Sequence, residues 1–141
     1  MVIQQLSIFL ENKAGRLNDV AALLGKAGVN MTAFSLADNS DFGILRVIVS
    51  DPHKAQEVLK AQKFAVSLTD VIHLQIANTP GSLSNVLAVL ADAGMYIEYM
   101  YAFSEGEGAN VVIRPDKMQE AVKELNDHKV NLLDASCFRE K

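Results

Sequence analysis

A six-residue phrase occurs twice in this chain, 66 positions apart, and the likeness extends well beyond the phrase itself. Asn12-Lys13-Ala14-Gly15-Arg16-Leu17 runs on to Ala27-Gly28, and Asn78-Thr79-Pro80-Gly81-Ser82-Leu83 runs on to Ala93-Gly94. The same offset carries Val20 onto Val86, Leu24 onto Leu90, Ala55 onto Ala121 and Leu59 onto Leu125, with no insertion. A tandem duplication restricts the fold to one that is built twice, and it points to the seam between like modules as a place for a site. Two modules are expected, residues 1–70 and 71–141. Modules of this size bury thin cores and lean on a neighbour for stability.

Each half shows the same alternation of periods. Leu6, Ile8 and Leu10 alternate with polar neighbours as in a strand with one wet face. From Arg16 the period changes, and Leu17, Val20, Ala21, Leu24 and Ala27 fall on one helical stripe that Gly28 closes. Strands are expected at 29–37 and 42–50 around a polar turn at Asp38–Asp41. Asp51-Pro52 then opens a second helix, and a strand at 64–69 completes the half. The second half repeats the order: a strand at 71–77, a helix at 82–93 and strands at 96–104 and 108–114 around Glu105-Gly106-Glu107. A helix at 115–127 and a final strand at 131–138 follow. The expected fold class is α+β: two tandem βαββαβ ferredoxin-like modules, each a four-stranded antiparallel sheet with both helices on one face.

Composition narrows the function classes. A hydrophobic fraction of 50% with 21% charged residues is ordinary for a globular protein. A net charge of −4, with no Lys/Arg cluster among aromatics, argues against nucleic acid as a partner. One cysteine, Cys137, excludes an intrachain disulfide and a multi-cysteine metal site. It is expected as a packed thiol in the last strand. Met1-Val2-Ile3-Gln4-Gln5 lacks the features of a signal peptide, and the apolar runs are too short to span a bilayer. The expected location is cytoplasmic, with no membrane partner. His53, His73 and His128 have no metal-ligand spacing, and His73 is placed on the outer face of its strand. There is no nucleophile–base set, P-loop or dinucleotide fingerprint, so no enzyme activity and no cofactor are expected.

A strand, then Asn-x-x-Gly-x-Leu, then a helix closed by Ala-Gly, then a strand opening with an apolar–Asn pair resembles the ACT domain, and here the arrangement occurs twice. The resemblance implies small regulatory modules that pair side by side and bind amino acids between them, commonly attached to metabolic enzymes. It is nearest to the serine-binding regulatory domain of phosphoglycerate dehydrogenase, whose two ligand-holding asparagines fall on Asn12 and Asn30. In the second half they fall on Asn78 and Tyr96, and the family's loop histidine is replaced by Leu10 and Ile76. Serine is therefore not implied. The expected ligand-binding residues are Asn12, Ala14, Gly15, Arg16, Leu17, Asn30 and Met31, with Asn78, Pro80, Gly81, Ser82, Leu83, Tyr96 and Ile97. If the second strands lie adjacent, Asn78 works with Asn30, and Asn12 with Tyr96; the two sites are then unequal, and polarity favours the Asn78/Asn30 combination.

The chemistry of such a site follows from its residue types. Free amides and the positive dipole end of a helix suit a carboxylate, glycine admits close backbone approach, and Asn offers both donor and acceptor. Other roles for these residues stay open: Asn12 and Asn78 suit turns or N-caps, Asn30 suits a helix-ending turn, and Arg16 suits solvent. Tyr96, Tyr99 and Tyr101 suit a sheet face as well as a pocket. The implied function is a non-catalytic sensor that binds a free amino acid at the seam of its halves. Its partners would be a metabolic enzyme and a second copy of the chain as a homodimer. The alternative is an interaction subunit that binds no ligand.

Overall fold

The computed structural model describes residues 2–38, 41–104 and 108–139. The Glu105-Gly106-Glu107 turn and the middle of the Asp38–Asp41 turn lie outside the described residues. Twelve elements follow in order: β1 (Ile3–Glu11), α1 (Arg16–Lys26), β2 (Met31–Asp38), β3 (Phe42–Val49), α2 (Pro52–Ala61), β4 (Ala65–Ile76), α3 (Ser82–Asp92), β5 (Ile97–Phe103), β6 (Ala109–Pro115), α4 (Met118–Asp127), β7 (Asn131–Leu133) and α5 (Ser136–Arg139). The two strands expected around Asp70 are one. No glycine or proline interrupts the apolar alternation there, so β4 continues through it.

The chain divides into two compact units. The first is Gln4–Thr69 with the segment from Ala135, and the second is Asp70–Asp134 with the residues up to Ile3. Sheet order in the first unit is β2-β3-β1-β4, with β1 and β2 both antiparallel to β3. In the second unit β5 pairs with β6, β6 with β4, and β4 with β7, all antiparallel. Both are βαββαβ modules. The second strand of each, β2 or β5, lies at an edge of its own sheet.

Each unit has its own core on the helix-facing side of its sheet. Leu6, Ile8, Leu10, Leu45 and Val47 meet Val20 and Leu24 of α1 and Ala55 and Leu59 of α2 in the first. Ile72, Leu74, Val111 and Ile113 meet Val86, Leu90, Ala121 and Leu125 in the second. The matching helical residues are related by the 66-residue offset, which is why the phrase and the packing repeat together. The buried stripe is narrower than the pattern suggests. Leu17 and Leu83, in the first turns of α1 and α3, are 42% and 37% exposed.

The final strand expected at 131–138 ends at Leu133. Asp134 and Ser136 read as the polar half of a strand alternation, but both also favour turns and helix starts. The chain turns there into α5, which packs on β3 of the first unit and buries Phe138. Cys137 therefore stands half-buried in a short helix, not in a strand. His73 is on the outer face, as its period requires. It is nonetheless buried, donating from Nε2 to Asn110 Oδ1 at 3.0 Å and stacking on Phe103 at 5.3 Å.

Candidate functional site

The repeated phrase folds the same way twice. Gly15 and Gly81 occupy the N-cap positions of α1 and α3 with φ of 92° and 87°, a left-handed conformation that favours glycine. The turn bonds match as well. Arg16 N donates to Lys13 O and Asp19 N to Gly15 O, while Ser82 N donates to Thr79 O and Asn85 N to Gly81 O. Neither helix start carries a side-chain cap, so Asn12 and Asn78 do not serve as N-caps. The amides of the first helical turn are left to other partners.

In the first unit this turn borders a cleft of about 210 Å³. Asn12, Lys13, Arg16 and Leu17 line one side, and Leu36, Asp38 and Gly43 line another, with Leu10 and Glu11. Asn12 Oδ1 and Leu36 Cδ1 converge over Gly43, lying 3.6 and 3.4 Å from where a Cβ would be. Two cationic side chains, two carboxylates, an amide and three leucines thus share one small space. Arg16 runs along its edge. Its Nη1 meets Asp19 Oδ2 at 3.2 Å, its guanidinium lies 4.4 Å over the Phe64 ring, and its Nε is buried without a hydrogen bond. The salt bridge is partly exposed and contributes a few tenths of a kcal/mol, about 0.3–0.5.

Of the residues expected to bind, Asn12, Arg16 and Leu17 line this cleft. Met31 lines an adjoining apolar groove of about 440 Å³ between α1 and β2, shared by Leu17 and Leu36. Ala14 and Gly15 shape the turn without lining either space. Asn30 is exposed just before β2, its N–H donating to Ser50 Oγ at 3.0 Å and its carbonyl accepting from Ser50 N. Leu10, Glu11, Lys13, Leu36, Asp38 and Gly43 were not among the expected binding residues. For Leu36 and Asp38 a signal existed, because period two in β2 puts both on the face that holds Phe34.

In the second unit the equivalent turn is built differently. The Thr79 and Ser82 hydroxyls share a hydrogen bond at 2.7 Å. Asn78, Pro80 and Gly81 are exposed, and Leu83 is partly so. Tyr96 is 62% exposed, with its N–H donating to Asp116 Oδ1 at 3.0 Å, while Ile97 packs on the core. A cavity of about 310 Å³ in this unit lies between α3 and α4, lined by residues such as Asn85, Asp92 and Glu124, away from that turn. Among the described residues no His/Cys/Asp/Glu group can hold a metal ion, and no helix is long and apolar enough to cross a membrane.

The geometry agrees with what the chain resembles. Its fold is shared with the crystal structure of protein BT0572 from Bacteroides thetaiotaomicron, at 50% identity and a TM-score of 0.95, covering 100% of this chain and 98% of that one. It is shared more distantly with the ligand-free regulatory subunit of aspartate kinase from Thermus thermophilus, at 15% identity and a TM-score of 0.61 over 88% of this chain and 91% of that one. The regulatory subunit from Thermus flavus is similar at 17% identity and a TM-score of 0.60, over 88% and 90%. No curated protein matches the chain. The family model described as an ACT domain pair matches residues 1–137, and the chain belongs to that family.

Proposed function

We propose that this protein is a non-catalytic regulatory sensor that binds a free amino acid, with the β1–α1 turn of the first unit holding the ligand. The observation that carries the reading is the cleft at that turn, where Lys13 and Arg16 stand with Glu11, Asp38 and Asn12 around about 210 Å³. A zwitterion needs this mixture: cations and helix-start amides for its carboxylate, carboxylates and an amide oxygen for its ammonium. Binding would favour one arrangement of the modules over another, and a partner enzyme would read the difference.

Thermal-shift screening of the twenty amino acids tests this, because a ligand that binds only the native state raises the midpoint. The reading expects a clear rise with at least one compound, lost in Arg16→Ser. If Asn30→Ala or Asn78→Ala abolishes the rise and Arg16→Ser does not, the ligand sits elsewhere in the fold. No rise at millimolar concentration would contradict the sensor and favour an interaction subunit. One observation supports that second reading: edge strand β2 carries Phe34 and Leu36 at 59% and 52% exposure, an open edge suited to a second copy of the chain.

A further inference from the structure

We infer that the ligand of the first unit is an α-amino acid with a bulky apolar side chain, such as leucine, methionine or phenylalanine; the inference rests on the sensor reading above. The polar cleft does not end at the turn. Leu17 and Leu36 belong both to it and to the groove of about 440 Å³ between α1 and β2, which Ala21, Met31, Phe34 and Leu45 complete. Apart from Ser35, every residue lining that groove is apolar. Gly43 and Asn12 border the polar space alone, and Leu17 and Leu36 are the two side chains that it shares with the groove. A zwitterionic head held among Asn12, Lys13, Arg16 and Asp38 would therefore send its side chain past Leu17 and Leu36 toward the groove.

A small polar side chain gains nothing from this groove. A lysine or aspartate side chain would have to bring a charge into a groove that offers no partner for it. An apolar side chain of four or more heavy atoms covers Leu36 and Phe34, which are otherwise half exposed, and removes its own surface from water. The charged end favours an amino acid over a fatty acid or an amine, since a zwitterion can use both the cations and the carboxylates, among which Lys13 Nζ lies 3.4 Å from Glu11 Oε2.

The test is calorimetric titration of the full chain with L-leucine, L-methionine, L-phenylalanine, L-serine, L-lysine and L-aspartate, with 4-methylpentanoate as a probe that lacks the ammonium. The expected result is at least about tenfold tighter binding of one bulky apolar amino acid than of serine, and no binding of 4-methylpentanoate. Leu36→Asn, at an exposed position, is expected to weaken that binding about tenfold while circular dichroism and the thermal midpoint stay unchanged. Tighter binding of serine, lysine or aspartate overturns the inference and leaves the sensor standing. So does apolar binding that Leu36→Asn does not alter. Absence of binding by any amino acid removes the sensor reading itself.

Discussion

At the same place in the repeat the first unit carries Arg16 and the second carries Ser82, and the surroundings have followed the substitution. In the first unit Arg16 borders a cleft with mixed charge, and its guanidinium lies against Asp19 and Phe64, which line a separate cavity of about 360 Å³. In the second, Ser82 closes a hydrogen bond with Thr79, and the hydroxyl pair satisfies itself within the turn. The backbones of the two turns agree in dihedral angle and in hydrogen bonds. The scaffold that aims a helix start outward is thus present twice, while Lys13 and Arg16 stand beside it in one copy and Thr79 and Ser82 in the other. The lesson is that glycine and the amphipathic stripe report the fold, and the residue after the glycine reports the chemistry.

The comparison can be pressed where the units ought to be equal. Leu24→Ala and Leu90→Ala remove equivalent core side chains, both almost fully buried, and each is expected to cost about 2–5 kcal/mol by chemical denaturation. A loss in one unit without a comparable loss in the other would show that the cores are not equivalent. The comparison should break at the site. Arg16→Ser is expected to weaken amino-acid binding by roughly 1.5–3 kcal/mol, the worth of a charged hydrogen bond, while Ser82→Ala leaves titration curves unchanged.

Gly15→Ala and Gly81→Ala should again act alike. Each forces a side chain into the left-handed region and is expected to lower stability by about 1–2 kcal/mol, read as a shift in the denaturation midpoint. The smallest effect concerns the second helices. Asp51 caps α2 by accepting from Lys54 N at 3.2 Å, whereas Lys117, its repeat counterpart, leaves α4 without a side-chain cap. Asp51→Ala is expected to cost about 1 kcal/mol, and Lys117→Asp to stabilise by a similar or smaller amount, since aspartate also suits the positive end of the helix. Equal destabilisation by both substitutions would contradict the difference in capping.

Most of the architecture was legible because its signals are local. Asn12 to Leu17 and Asn78 to Leu83 mark a strand-to-helix turn, and Gly28 and Gly94, at φ of 75° and 79°, mark where the helices stop. The C-terminal segment was not legible. Alternation at Leu133, Ala135 and Cys137 imitates a strand, and only the packing of Phe138 in the first unit decides for a helix. That partner lies far away in sequence, so no local window contains it. The site was half legible for the same reason. Asn12, Arg16 and Leu17 sit in the repeated phrase, whereas Leu36, Asp38 and Gly43 reach the cleft through the pairing of β2 with β3, in which Asp38 faces Gly43. Leu17 continues the helical stripe and was also expected among the ligand-binding residues. It borders both the cleft and the groove.

The most direct measurement is a two-dimensional amide NMR spectrum of the labelled chain titrated with L-leucine and L-phenylalanine. The account predicts saturable shifts at Asn12–Leu17 and at Leu36, Asp38 and Gly43, with Asn78–Leu83 unmoved. Shifts confined to Asn78–Leu83 and Tyr96, or none at any residue, would contradict it.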